Sequence, residues 1–273
     1  MQSRLQGLSD SPRLDVELLL CFCLGKDRSY LRSWSDKLVE PQQRSRFFAL
    51  LERRMRGEPI AYLVGECGFW TLMLYTDEST LIPRPDTELL VEEALRLGAQ
   101  NNELNVLDLG TGTGAVALAI ASERADWQLT GCDIQPAAVA LAERNRLRAG
   151  LNNVQFLSSN WFNQLPPQRF ELIVSNPPYI DPGDPHLQQG DVRFEPASAL
   201  IAARGGFADI EQIIQQAPGF LCESGWLLFE HGYDQGEGAR LRLRQGGFQQ
   251  VYTARDLAGH ERVSGGCYMS GEL

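Results

Sequence analysis

The 273-residue chain has no cysteine pair spaced to grip a metal or to cycle between thiol and disulfide. Its six cysteines, Cys21, Cys23, Cys67, Cys132, Cys222 and Cys267, are scattered, and none forms a Cys-x-x-Cys motif. Cys21 and Cys23 stand two residues apart and so fall on different faces of a helix. Reduced thiols are the expected state, which points to a cytoplasmic location. Histidine is scarce: His186, His231 and His260 lie far apart and make no ligand pattern, so no metal site is expected. No run approaches the ~18 apolar residues of a membrane span. A basic segment followed by a short apolar stretch is missing from the N-terminus, so no secretion signal and no membrane association are expected.

Lysine is absent from residue 84 onward. Residues 1–83 carry 11 basic and 11 acidic side chains, whereas residues 84–273 carry 14 basic and 24 acidic ones, so the net charge of −10 resides in the second part. An enzyme that grips phosphates needs a Lys/Arg-rich face. Direct contact with nucleic acid is therefore not expected, and a small molecule or a basic protein partner is favoured.

The apolar content of 43% suits a globular chain, and the length allows one large α/β domain with a small companion. Ser11-Pro12 and Gly25 bracket one helix, and Pro41 and Gly57 another. The second carries Arg44, Arg46, Arg53, Arg54 and Arg56, which read as a solvated face or a docking face. Residues 1–65 are expected to be all-α. Phe69, Trp70, Leu72, Leu74 and Tyr75 then read as strands, with a turn signal at Asp77-Glu78, so residues 66–83 are expected to be a β-hairpin linker. From residue 84 to 273 strands and helices alternate, which predicts a parallel sheet covered on both faces. The stretch from Tyr179 to about Phe207 is longer than a compact domain usually tolerates without a functional reason.

Val106-Leu107-Asp108-Leu109 runs into Gly110-Thr111-Gly112-Thr113-Gly114 and then into a helix. Glycines there let the backbone approach a ligand closely. Asp133 ends the following strand, where a carboxylate can take both hydroxyls of a ribose. These features mark a nucleotide-type cofactor without choosing between NAD and S-adenosylmethionine.

Ile173-Val174-Ser175-Asn176-Pro177-Pro178-Tyr179 makes that choice. Proline cannot donate to a sheet ladder, so the strand stops there and leaves Asn176 at its carboxyl end on a stiff backbone. The Asn176 side-chain oxygen and the Pro177 carbonyl can each accept one hydrogen of a planar NH2 group, and Tyr179 can cover its flat face. Hydride transfer has no use for such a clamp; methyl transfer to an amide or a base amino group does.

At these residues the chain resembles the release factor glutamine methyltransferases, the protein-(glutamine-N5) methyltransferase family. The resemblance spans nearly the whole length. It includes Gly57-Glu58-Pro59-Ile60-Ala61-Tyr62, Leu81-Ile82-Pro83-Arg84-Pro85-Asp86-Thr87-Glu88 and Val192-Arg193-Phe194-Glu195-Pro196. It implies an α/β fold: a seven-stranded, Rossmann-like class I methyltransferase domain at 84–273, joined by the hairpin to a helical substrate-docking domain at 1–65. It implies a substrate, the glutamine of the Gly-Gly-Gln loop of class 1 peptide chain release factors, and a monomeric enzyme.

The resemblance also implies roles. Gly110, Thr111, Gly112, Thr113 and Gly114 would line the methionine end of S-adenosylmethionine, Asp133 would bind its ribose and Trp161 would pack near its adenine. The family more often has Asp where this chain has Asn160. Asn176, Pro177, Pro178 and Tyr179 would hold the substrate amide, with Leu81 and Arg84 closing the pocket.

No Ser, Cys or His triad is evident. The expected chemistry is direct in-line transfer, yielding S-adenosylhomocysteine, with two acceptors favouring positive charge on the attacking nitrogen. The alternatives are the same reaction on a ribosomal-protein glutamine, methylation of an adenine or guanine amino group in nucleic acid, and a non-catalytic binding protein. The acidic second part and the three longer motifs count against the nucleic-acid reading.

Overall fold

The computed structural model describes residues 5, 9 and 11–269. By its internal contacts the chain divides into two compact units. The first takes Met1–Glu66, Thr76–Glu78 and Pro185–Glu195; the second takes Cys67–Tyr75, Ser79–Asp184 and Pro196–Leu273.

In the first unit the helices are α1 (Pro12–Leu24), α2 (Arg28–Ser33), α3 (Pro41–Met55) and α4 (Ile60–Val64). Proline opens α1 and α3, where a missing N–H costs nothing. Leu19, Phe47, Leu50, Leu51 and Leu63 form the shared core. Arg44, Arg46, Arg53 and Arg56 are exposed as the solvated-face reading requires, but Arg54 is only 5% exposed. Its Nε donates to Asp15 at 2.8 Å and its Nη1 to Asp191 at 2.8 Å, with the Glu58 carbonyl 3.1 Å from Nη1. That buried arginine explains a departure from the expected boundaries. Residues 185–195, placed by sequence within the 84–273 domain, belong with the helices because Asp191 completes the charge of Arg54. The expected linker 66–83 is likewise divided between the units. Gly57 has φ +96°, and a Cβ there would collide with Arg193 and crowd Phe194. Two of the motifs quoted above thus meet at a backbone position that only glycine allows.

The second unit opens with a two-stranded hairpin, β1 (Glu66–Phe69) and β2 (Leu72–Tyr75). Its reversal falls at Trp70-Thr71 and not at Asp77-Glu78. Trp70 adopts φ +56°, held by its N–H donating to Glu88 (2.8 Å) and its indole N–H donating to Glu123 (2.8 Å). Then come α5 (Glu88–Leu97), β3 (Asn105–Leu109), α6 (Ala115–Glu123), β4 (Gln128–Asp133), α7 (Pro136–Ala149), β5 (Val154–Ser158) and β6 (Phe170–Ser175). A single turn, α8 (Ala203–Gly206), and α9 (Ala208–Gln216) lead to β7 (Leu221–Glu230), α10 (Gly236–Gln245), β8 (Gln249–Arg255) and β9 (Glu261–Cys267).

Seven strands form one sheet in the order β5-β4-β3-β6-β7-β9-β8. All neighbours are parallel except β9, which runs antiparallel to both β7 and β8. The all-parallel expectation fails there because only the short turn around Asp256 joins β8 to β9. A connection that short can make only an antiparallel pair. Alternate residues of the central strands enter opposite cores. Val106, Leu172, Val174 and Leu228 pack with α5 and α6, and Leu107, Ile173, Leu227 and Phe229 pack with α9 and α10. Burial on both faces accounts for the apolar run Leu172-Ile173-Val174 of β6 and the Val106-Leu107 pair of β3. Among the described residues no helix is long and apolar enough to cross a membrane.

Replacing Arg54 with Met leaves Asp15 buried without its counter-charge. We expect Arg54→Met to destabilise the helical unit by about 3–5 kcal/mol, and Asp15→Asn in the same chain to restore part of the loss. Urea denaturation of the single and double variants checks both.

Candidate active site

The carboxyl ends of β3, β4 and β6 lie side by side, and the glycine loop, Asp133 and Asn176 extend from them. The Ser175 hydroxyl, fully buried, donates to the Leu109 carbonyl at 2.8 Å, which ties the end of β6 to the end of β3. The N–H groups of Gly110 and Thr111 both donate to the Cys132 carbonyl at 2.9 Å, drawing the loop across β4. Beyond these ends lies a cavity of about 430 Å³ within the second unit.

The cavity gathers most of the residues singled out by sequence: Gly110, Thr111, Gly112, Thr113, Asp133, Asn160, Trp161, Asn176, Pro178, Leu81 and Arg84. Three others do not line it. Gly114 begins α6, and the space beside its Cα is filled by Phe156, Ala142 and Leu118, so it serves helix–sheet packing. Pro177 is buried between Asn176 and Pro178, which do line it. The Tyr179 ring packs into the core on the α9 face, and its hydroxyl donates to Glu230 at 3.1 Å. A ring so engaged anchors the turn.

Gly110 and Gly112 adopt φ +72° and +54°. A Cβ at Gly110 would lie in van der Waals contact with the Trp161 ring at 3.4 Å, so the loop and the indole are neighbours in one wall. Trp161 itself adopts φ +50°, a strained conformation for a bulky residue. Ser159 donates to its carbonyl at 2.6 Å, and Asp209 lines the cavity with it. Asp133 accepts the Gly112 N–H (3.0 Å) on one oxygen and the Gln135 N–H (2.9 Å) on the other. One lone pair on each oxygen stays available for a diol. Burial raises the Asp133 carboxyl above the usual range, and those backbone donors oppose the shift. Asp108, 2% exposed beneath the loop, accepts from the Thr111 hydroxyl at 2.6 Å and the Ala117 N–H at 3.3 Å. Its pKa is nevertheless pushed up to about 6 by burial.

On the acceptor side, the Asn176 Nδ2 donates to the Thr87 hydroxyl at 3.1 Å. With its amide nitrogen so engaged, the side-chain oxygen is the group left to accept. Glu230 is 2% exposed and takes a hydrogen bond from Tyr179 at 3.1 Å. Burial raises its pKa, and neighbouring hydroxyls and the Arg262 charge oppose the rise.

Asn145, fully buried on α7, accepts the Tyr75 N–H (2.7 Å) and donates to the carbonyls of Tyr75 (3.1 Å) and Thr113 (2.9 Å), so the hairpin braces the glycine loop. Thr87, Asp209, Glu230 and Asn145 all escape sequence reasoning. The one signal available was Thr87's place within the Pro85-Asp86-Thr87-Glu88 motif.

A glycine-walled pocket beside an asparagine with a free acceptor oxygen sets a group-donating cofactor next to an NH2. The residues present fit S-adenosylmethionine, with a carboxylate for a diol and an indole wall for a flat ring. Solved structures share the architecture: a methyltransferase from Pyrococcus furiosus matches with a TM-score of 0.57 at 17% identity, covering 81% of this chain and 98% of that one. The catalytic domain of human Mettl16 matches with a TM-score of 0.58 at 14% identity, covering 75% and 78%. Residues 85–208 match the family model of the methyltransferase small domain, and residues 1–65 that of the PrmC N-terminal domain. The protein is therefore a class I, S-adenosylmethionine-dependent methyltransferase.

Full-length relatives narrow the class. The release factor glutamine methyltransferase of Vibrio cholerae is 55% identical over 96% of this chain and 92% of its own. That of Pseudomonas aeruginosa is 55% identical over 94% of each, and that of Escherichia coli K12 is 50% identical over 97% and 95%. The chain belongs to the release factor glutamine methyltransferase family.

Two outcomes are expected at the cofactor side. Asp133→Ala lowers S-adenosylmethionine affinity by about 1–3 kcal/mol, the worth of a hydrogen bond to a charged group, in calorimetric titration of a folded variant. Asp108, with its pKa raised in the folded state, contributes stability present below the ordinary aspartate range and lost as pH rises through about 6. Over that window the loss is about 3 kcal/mol. Asp108→Asn removes this slope, which urea denaturation at pH 4.5 and 7.5 (about) checks.

Proposed function

We propose that this chain methylates the side-chain amide nitrogen, N5, of the glutamine in the Gly-Gly-Gln motif of class 1 peptide chain release factors, in the cytoplasm and as a monomer. The observation that carries the reading is Asn176: stationed past the end of β6, with Nδ2 given to Thr87, it offers an oxygen to an incoming NH2. The names of the relatives supply the substrate, and the acidic catalytic portion suits a protein better than a nucleic acid.

In this reading Gly110 to Thr113 hold the methionine end of the cofactor, Asp133 its ribose and Trp161 its adenine, while Leu81 and Arg84 close the acceptor side. Gly114 serves the same loop from behind. S-adenosylmethionine supplies a methyl group activated by its sulfonium. An amide nitrogen is a weak nucleophile because its lone pair is delocalised into the carbonyl. The Asn176 oxygen and the Pro177 carbonyl each take one N–H, which orients the nitrogen and stabilises the positive charge that grows on it. Pro178 and the Tyr179–Glu230 bond keep that turn rigid. The proton leaves to solvent after transfer, so no side chain need act as base.

Asn176→Ala removes one of the two acceptors, and its cost falls on the charged transition state more than on the ground state. We expect kcat to drop about 10²–10³-fold with KM little changed. Mass spectrometry of a release factor incubated with enzyme and labelled cofactor locates the methyl group. A release factor with glutamate in place of the acceptor glutamine should remain unmethylated. Methylation of the glutamate form at the rate of the glutamine form would show a carboxyl methyltransferase instead.

A further inference from the structure

Tyr179 ends the acceptor turn, and its carbonyl is taken by a side chain from beyond the end of β7. The Gln235 Nε2 donates to the Tyr179 carbonyl at 3.0 Å and to the Gly205 carbonyl at 3.1 Å. Its Oε1 accepts the Gly232 N–H at 2.8 Å. An amide NH2 has two hydrogens to give, and both are used. Every partner is a backbone group, so the sense of the amide is fixed. Reversed, it would set its oxygen against two carbonyls and its NH2 against an N–H. The Gln235 backbone is held as well, with its own N–H donating to the Gly232 carbonyl at 2.9 Å. The buried His231 Nδ1 faces that same carbonyl, which can only accept, and donates to it at 2.8 Å.

The two carbonyls stand at the two ends of one loop. The chain leaves the acceptor turn at Ile180 and returns at Gly205, and residues 185–195 in between belong to the helical unit. At the neck of the loop the Ile180 N–H donates to the Leu200 carbonyl (2.9 Å) and the Ala202 N–H to the Ile180 carbonyl (3.0 Å). Ser198, Ala199 and Ile201, on the returning arm, line the cavity together with Asn176 and Pro178. Arg204, Gly205 and Gly206 are all left-handed, with φ +59°, +67° and +82°, a conformation that costs a residue with a side chain. That turn brings the Gly205 carbonyl to Gln235. A Cβ at Gly206 would lie 2.0 Å from the Tyr179 oxygen and 2.5 Å from the Gln235 Nε2, so the junction closes only around glycine.

A displacement at Tyr179 is poorly absorbed before it reaches the acceptor groups. Pro177 and Pro178 lie between, each with φ locked by its ring, so the turn moves as one piece. We infer that Gln235 is a positioning residue of the acceptor site: its single NH2 group clamps both sides of the loop's neck and thereby sets where the Asn176 oxygen and the Pro177 carbonyl meet the substrate amide. The inference rests on the glutamine reading given above. Gln235 does not touch the reacting atoms and acts through the turn.

The test compares full-length wild type with Gln235→Met, Gln235→Glu, Asn176→Ala and the two double variants. Methionine keeps the length and bulk of glutamine but gives no hydrogen. Glutamate keeps the shape and the bond to Gly232 but aims its other oxygen at two carbonyls. The single-turnover rate on release factor is measured at saturating S-adenosylmethionine, with KM for release factor alongside, and thermal unfolding is read separately. In Gln235→Met the rate should fall about tenfold or more, with KM changing by less, and Gln235→Glu should fall further. On the Asn176→Ala background the same substitutions should cost at least about threefold less, because one of the groups they position is already gone.

A purely structural role for Gln235 would lower Tm and leave the rate of the folded enzyme unchanged, or lower that rate by the same factor with and without Asn176. Either result overturns the inference. If Gln235→Met does not fold, Gln235→Glu decides alone: a wild-type rate, or a loss that simply multiplies with that of Asn176→Ala, overturns it. Failure of the wild-type enzyme to methylate the glutamine of the release factor overturns the functional reading, and the inference with it.

Discussion

The hydrogen bond from Ser175 to the Leu109 carbonyl joins the last residues of two neighbouring strands just before each breaks into a functional turn. On one side the chain enters the glycine loop; on the other it enters Asn176-Pro177-Pro178. In the proposed reading the two turns carry different tasks, cofactor on one and acceptor on the other, and their separation is set by the spacing of adjacent strands. That spacing is a constant of β-sheets, about 4.8 Å. The sheet itself therefore supplies the reach over which a methyl group must pass. Everything outside it, from Asn145 bracing the loop to Tyr179 anchoring the turn, preserves that one adjacency.

Charge is handled differently in each part of the site. Beside the glycine loop, the buried Asp108 and the half-buried Asp133 are carboxylates held by hydroxyl and backbone donors, without a cationic partner in those hydrogen bonds. Burial raises both. A sulfonium cofactor brings its own positive charge, so a site with this excess of negative potential awaits its ligand to reach balance. The helical unit shows the reverse arrangement: Arg54 is buried with two carboxylates, and residues 185–195 are drawn to it across a long stretch of sequence.

Much of this was legible in the residues. The apolar runs of β3 and β6, the glycine loop and the paired prolines are local signals, readable because period and backbone chemistry act over a few residues. Asn176 and Asp133 were recognisable for the same reason, since each sits where a strand must stop. Thr87 and Glu230 were not. Thr87 meets Asn176 across 89 residues and Tyr179 meets Glu230 across 51, and no local pattern marks a threonine that declines to cap its helix. The antiparallel β9 escaped because direction follows from a connection's length, which is read only once both strands are placed. The chemistry of Tyr179 was read from its ring, and the partner of its hydroxyl, Glu230, had no local sign.

The acceptor clamp is short in sequence but drawn from three places in the sheet's surroundings: the end of β6, the entry to α5 and the end of β7. Its tetrapeptide is accordingly a poor unit of inheritance. Moved alone into another scaffold, Asn-Pro-Pro-Tyr would bring a stiff turn whose asparagine and tyrosine had both lost their partners. Protein engineers seeking to transplant the turn would have to carry a threonine and a buried glutamate with it, one to meet Asn176 and one to meet Tyr179, and evolution faces the same linkage whenever this turn is moved.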